Sequence, residues 1–122
     1  MGEIASIHNT SSKASTAARI RRVLDTEAEA ISAVVVDDSY AKAVDLLKEC
    51  SGKIIATGMG KAGFVGRKFA AILSSTATPA VFIHPAEAAH GDLGMLANGD
   101  CIVAFSTSGK TREVLEFIQL SR

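Results

Sequence analysis

Apolar residues Ala17, Ile20, Leu24, Ala28, Ile31 and Val34 or Val35 recur at helical spacing, which predicts an amphipathic helix over residues 13–36. The small, polar residues 1–12 read as a frayed end. Asp37-Asp38-Ser39 interrupts the pattern and suits a helix cap. In the helix that follows, Tyr40, Ala43, Val44 and Leu47 share one face. Ser51-Gly52 closes it, with Gly52 expected as a left-handed cap. These two helices have larger apolar faces than one small neighbour requires. A helical layer within the domain and a contact with another copy both account for them.

At Lys53 the texture changes. Ile54-Ile55-Ala56-Thr57 is a short apolar strand, followed by Gly58-Met59-Gly60-Lys61-Ala62-Gly63 and a periodic helix through about Ser75. Thr78-Pro79 resets the chain before a second strand, Ala80-Val81-Phe82-Ile83. Residues 84–96 read as a polar loop with a helical turn. Asn98-Gly99-Asp100 is a turn, Cys101 to Phe105 a third strand, and the last helix runs from about Gly109 to the end. Apolar strands separated by helices or long crossovers predict an α/β fold whose parallel sheet is covered on both faces. Ligands of such sheets bind beyond the carboxyl ends of the strands. The three loops at those ends, Gly58–Gly63, His84–Gly94 and Ser106–Thr111, are also the polar, glycine-bearing parts of the chain.

Composition narrows the partners. The chain has 122 residues, room for one domain, with 48% hydrophobic and 21% charged residues. Lys+Arg and Asp+Glu number 13 each, so no net charge favours nucleic acid or an anionic membrane. No apolar run is long enough to span a bilayer, no signal peptide is evident, and a cytoplasmic location is expected. Cys50 and Cys101 have no metal-type spacing and read as free thiols. Met1 to Ser6 fits a loose myristoylation pattern and Asn9-Thr10-Ser11 a glycosylation sequon, both without supporting context.

Each loop has its own chemistry. Ser106, Thr107, Ser108 and Thr111 supply four hydroxyls beside Gly109 at a helix start, where unpaired N–H groups favour an anion. That combination points to phosphate, since one hydroxyl suffices for an ordinary cap. Gly58, Gly60 and Gly63 have the G-x-G-x-x-G spacing of dinucleotide sites, but no acid follows between Arg67 and Ala86 to meet a ribose. A close backbone approach to a smaller polar ligand remains, with Lys61 pointing into the site. His84, Glu87, His90 and Asp92 form a dense polar loop that matches no standard zinc spacing, so the expectation is no metal and no cofactor. For His84 itself, the expectation is a strand-end side chain bonded to backbone.

Together, "GMGKAGFVGRKFAAILSSTATPAVFIHPAEAAHGDLGML" and "STSGKTREV" resemble the sugar isomerase (SIS) domain, in particular the arabinose-5-phosphate isomerases of the KpsF/GutQ type. The resemblance runs from about Lys53 to the end and is weaker in the preceding helices. It implies a flavodoxin-like three-layer parallel sheet. Residues 1–52 then form a helical segment of the same domain, a possible oligomer contact, and 53–122 the N-terminal portion of the SIS domain. It also implies a phosphosugar ligand, a homo-oligomer, and interconversion of D-arabinose 5-phosphate and D-ribulose 5-phosphate through an enediol(ate). In the family, the product feeds bacterial lipopolysaccharide or capsule synthesis. By matched position it implies catalytic roles for Lys61, His90 and Glu113, and a phosphate loop of Ser106, Thr107, Ser108 and Thr111. Ser74 and Ser75 match polar positions that line the pocket. A non-catalytic phosphosugar-binding module and an isomerase of a six-carbon phosphosugar are the alternatives. Lys110 stands where close isomerases carry Glu. Family members continue with further strands, so the chain is expected to be truncated after Arg122.

Overall fold

The structure, a computed structural model, describes the backbone of residues 2–122 and the side chains from Ser15 onward. The two N-terminal motif matches, at 1–6 and 9–11, lie outside the residues whose side chains are described. The chain divides into two compact units, with the boundary between Asp38 and Ser39.

The first unit is dominated by helix α1, Gly2–Ser32. It starts earlier than its apolar pattern, so the polar stretch expected to fray is helical from Gly2. It also ends earlier, at Ser32 rather than Val36. Val34-Val35-Val36 is a run of β-branched side chains, which lose rotamer freedom against a helical turn and favour extended backbone.

The second unit is built on a three-stranded parallel sheet of order β2-β1-β3, with β1 Ile54–Gly58, β2 Ala80–Phe82 and β3 Cys101–Phe105. Ile54 lies opposite both Ala80 and Cys101, so β1 is paired on both sides. Every residue of β1 is buried, as its uninterrupted apolar run requires. Helix α2, Asp38–Lys48, begins at the predicted cap. Helix α3, Gly60–Ser75, covers one face of the sheet. On the other face, Ala88 of α4 (Pro85–Ala88) and Phe117 of α5 (Arg112–Leu120) close over Ile55 and Ile83 as a single core cluster. Val81, Leu93, Leu96, Ile102 and Ile118 pack around it. The result is the three-layer α/β arrangement that the hydrophobic pattern implies.

Gly52 does not have the left-handed backbone expected of it. Its requirement is spatial: a Cβ there would collide with the Asp100 carboxylate and lie 2.9 Å from the Asp100 backbone nitrogen. The left-handed position is Gly99, at φ +90°, whose carbonyl accepts the Gly52 N–H at 2.9 Å. Asp100 then ties the two turns together. Its carboxylate accepts the Lys53 backbone N–H at 2.9 Å, the Lys53 ammonium at 2.6 Å and the Ala97 N–H at 2.8 Å. The hydrogen bonds from Lys53 lower the Asp100 pKa below its ordinary value.

Candidate functional site

All three strands are parallel, so the loops that follow them emerge at the same end of the sheet. The chain passes from β1 to β2 on one side and then crosses to β3 on the other. The divergence of connections around β1 is the kind of switch point at which open α/β sheets open a crevice.

The β1–α3 loop is shaped by its glycines. A Cβ on Gly63 would lie 2.6 Å from the Gly58 carbonyl oxygen, and one on Gly66 would lie 3.1 Å from the Phe82 ring. These two residues let α3 approach β1 and β2 closely. Gly60 differs: its φ is +55°, and a Cβ there would meet nothing within 4 Å. It makes the turn and leaves open space over the start of α3. No side chain caps that helix, whose N-cap is Met59, so its first N–H groups are available to an anion.

The β3–α5 loop organises itself around Ser106. The Ser106 hydroxyl accepts the Gly109 N–H at 3.0 Å and lies 3.0 Å from the Thr111 hydroxyl. The Ser108 hydroxyl accepts the Lys110 N–H at 3.1 Å. Gly109 takes the left-handed conformation, φ +66°, and Thr111 occupies the N-cap of α5 without a side-chain cap bond. Lys61 at the start of α3 and Ser106 and Thr107 after β3 line one cleft of about 340 Å³, together with Ala62, Val65 and Phe105.

A second recess of about 160 Å³ is lined by Gly58, Gly60, Gly63, Phe64, Arg67, Phe82 and His84. The Arg67 guanidinium lies 4.3 Å from the centre of the Phe82 ring, a cation–π contact. His84 is not bonded to backbone as expected. Its Nδ1 is enclosed and has no hydrogen-bond partner among the described residues, and its ring meets Phe82 at 6.5 Å. The Thr57 hydroxyl, at the end of β1, is likewise buried without a partner. Neither Arg67 nor Thr57 stands out in the sequence. The only available signal for Arg67 is a basic residue in the middle of α3, seven positions after Gly60; Thr57 reads simply as a strand residue.

The remaining loop folds as α4 and a 3₁₀ turn, Asp92–Met95. Pro85 opens α4, where its missing N–H costs nothing. His90 and Glu87 are exposed, and the His90 N–H donates to the Glu87 carbonyl at 2.9 Å. Glu113 is half-buried in the first turn of α5, the helix on which α4 packs. His90 and Glu113 therefore come from the α4–α5 side of the sheet, and Lys61 from α3 on the other. Among the described residues, no three His, Cys, Asp or Glu side chains converge as a metal site.

Ser74 and Ser75 are not brought to these loops. They sit at the far end of α3, fourteen and fifteen positions beyond Gly60, on the order of 20 Å along the helix. The Ser74 hydroxyl donates to the Ala80 carbonyl at the beginning of β2, at 2.8 Å, and that of Ser75 to the Ile72 carbonyl, at 2.7 Å. Their hydroxyls serve the helix end, and the expectation that they line the same pocket does not hold within this chain.

A family model described as "SIS domain" matches residues 46–122, more than half of the chain. The chain is 42% identical over 102 residues to the arabinose 5-phosphate isomerase KdsD of Pseudomonas aeruginosa, covering 82% of this chain and 31% of the relative. It is 51% identical over 79 residues to the arabinose 5-phosphate isomerase KpsF of Escherichia coli, covering 65% and 25%. A solved structure from Escherichia coli CFT073, a complex with A5P, superimposes with a TM-score of 0.80 at 36% identity, covering 86% of this chain and 57% of that one. The chain thus spans about a third or less of the length of these curated relatives.

Proposed function

The chain belongs to the SIS-domain family, and from that premise we propose that it is an aldose–ketose isomerase of a five-carbon phosphosugar, interconverting D-arabinose 5-phosphate and D-ribulose 5-phosphate. The observation that carries this reading is the cleft in which Lys61 shares walls with Ser106 and Thr107. An anion-binding loop and a cation from another element face one volume there. The two relatives with isomerase names and the A5P complex of a structural neighbour support the choice of sugar.

In this proposal Ser106, Thr107, Ser108, Gly109 and Thr111 hold the phosphate with hydroxyls and N–H groups at the start of α5. Gly58 and Gly60 let the sugar approach the backbone. Isomerisation moves a proton from C2 to C1, while the O2 proton ends on O1. Glu113 is the base that carries the carbon-bound proton. Lys61 stabilises the negative charge of the enediolate. His90 acts on the sugar oxygens in ring opening or proton exchange. No metal or cofactor takes part. The partners proposed are the phosphosugar and further copies of this chain, in the cytoplasm, and the pathway served is lipopolysaccharide or capsule synthesis.

Incubation of the chain with arabinose 5-phosphate, followed by NMR of the sugar carbons, tests the reading. Ribulose 5-phosphate is the expected product, and Glu113→Gln is expected to lower kcat by at least about 100-fold. Saturable binding without turnover would replace the enzyme with a phosphosugar-binding module. Turnover of a six-carbon phosphosugar alone would change the substrate. Wild-type turnover by Glu113→Gln would remove Glu113 as the base.

A further inference from the structure

The two cysteines have no part in the proposed chemistry, yet the fold places them side by side. Cys50 follows the end of α2, and Cys101 is the first residue of β3. The Cys50 thiol donates to the Gly99 carbonyl at 3.3 Å and to that of Lys53 at 3.5 Å. Both acceptors adjoin Cys101: Gly99 stands two positions before it, and the Lys53 carbonyl accepts its N–H at 3.1 Å. The Cys101 thiol donates to the Leu46 carbonyl in the last turn of α2, at 3.4 Å, with the Cys50 thiol beside it. Both sulfurs are free and half-buried. They sit where α2 meets β3 through weak S–H donors. Next to them the two elements stand apart around a gap of about 440 Å³, lined by Ala43, Leu46, Leu47 and residues 101–104.

We propose that Cys50 and Cys101 are a reversible thiol–disulfide site, oxidised by a low-molecular-weight disulfide of the glutathione class, and that their bond fastens the end of α2 to β3. The Cys50 thiolate attacks one sulfur of the small disulfide, and one small thiol leaves. The Cys101 thiol then loses its proton to solvent and attacks the Cys50 sulfur of the mixed disulfide, and the second small thiol leaves. Two protein thiols give up two electrons and two protons, and one small disulfide becomes two small thiols. Burial pushes the Cys101 thiol up, so Cys50 is the sulfur that attacks first and Cys101 the one that resolves. A pool of mainly reduced thiol keeps the pair open, and an oxidised one closes it. Cys101 pairs with Ile54 at the amino end of the sheet, away from the loops 58–63 and 106–111. The bond therefore stiffens the scaffold without entering the cleft, and the proposal is independent of the isomerase reading.

The reduced 122-residue chain, equilibrated with mixtures of reduced and oxidised glutathione, tests it. Mass spectrometry after alkylation of the remaining thiols is expected to show one internal Cys50–Cys101 bond, reversed by dithiothreitol. Its equilibrium constant of formation is expected to be at least about 30-fold larger for the folded chain than for the chain in urea, because the fold holds the thiols together. Cys101→Ser is expected to stop at a glutathione adduct on Cys50, and Cys50→Ser to leave Cys101 largely unmodified over the same time. In the oxidised wild type, amide hydrogen exchange across α2 is expected to slow. Equal equilibrium constants in buffer and urea would overturn the proposal. So would bonds between chains, or stable glutathione adducts, in place of the internal bond. Unchanged exchange in α2, or faster adduct formation on Cys101 than on Cys50 in the two single variants, would overturn it as well.

Discussion

Gly58 and Gly60 are separated by one residue and answer to different constraints. A Cβ on Gly58 would lie 2.9 Å from the Phe105 carbonyl oxygen and 3.1 Å from the Ala62 carbonyl, both backbone atoms that cannot rotate away. On Gly60 a Cβ meets nothing, and only the positive φ is at issue. Gly58→Ala is therefore expected to cost about 1–3 kcal/mol through overpacking, and Gly60→Ala about 1–2 kcal/mol through backbone strain. In the assay, Gly60→Ala is expected to act mainly on KM, since the new methyl enters the space left for a ligand. Urea denaturation and steady-state kinetics on the same proteins check both; equal effects on KM would remove the distinction. A second residue-scale expectation concerns Cys101. Burial, and then the neighbouring Cys50, push its thiol above the ordinary cysteine value. Its alkylation by iodoacetamide at pH 8 is expected to lag behind that of a free cysteine, as followed by mass spectrometry; alkylation as fast as free cysteine would contradict the shielding.

Elements are held in place by a few specific contacts. Phe117 of α5 is 1% exposed and meets Ile55, Ile83 and Ala88. Phe117→Ala is expected to cost about 3–5 kcal/mol in chemical denaturation, and would be a useful contrast with the exposed neighbour Leu115. Asp100, on the β3 side, joins the turn before β1 to the turn before β3. Its pKa is lowered in the folded protein, so the stabilisation it supplies is present above the ordinary carboxylate value of 3.8 and is lost as pH falls through the lower folded value. Asp100→Asn is expected to melt earlier at pH 7, and the gap to wild type should close as the solution is acidified below 3.8. A gap that stays constant with pH would mean that the carboxylate charge is irrelevant. The same elements show what sequence makes readable. β1, α3 and β3 were legible because unbroken apolar runs and helical periodicity are local signals. α4 and the 3₁₀ turn were not separable, since four residues each are too few to show a period. The pattern places the end of α1 too late because the valines continue the apolar pattern while opposing the helical backbone. Gly52 reads as a cap, although the reason for glycine there is a contact with Asp100, 48 positions away in sequence.

At the scale of the whole molecule, the site is legible where it is local and hidden where it is assembled. Ser106 to Thr111 stands out as a candidate because the hydroxyls, the glycine and the helix start are consecutive. The recess that joins Arg67, His84 and the β1–α3 glycines depends on three separate elements. Ser74 and Ser75 failed for the converse reason: the helix that starts at the site carries them away from it. Binding at such a site is coupled to global stability, since a ligand that needs the assembled loops binds the folded chain alone. At 100 times its Kd the proposed phosphosugar would add about 2.7 kcal/mol, a rise in Tm on the order of 10 °C for a unit of this size. Ser106 is the discriminating residue. Its hydroxyl organises the loop with two contacts, to the Gly109 N–H and the Thr111 hydroxyl, so Ser106→Ala is expected to lower the ligand-free Tm by only the equivalent of about 1 kcal/mol. The ligand-induced rise should nevertheless largely vanish at the same phosphosugar concentration. Differential scanning calorimetry of both proteins, with and without arabinose 5-phosphate, separates the two effects. An undiminished rise in Ser106→Ala would mean that the phosphate is held elsewhere than at the start of α5.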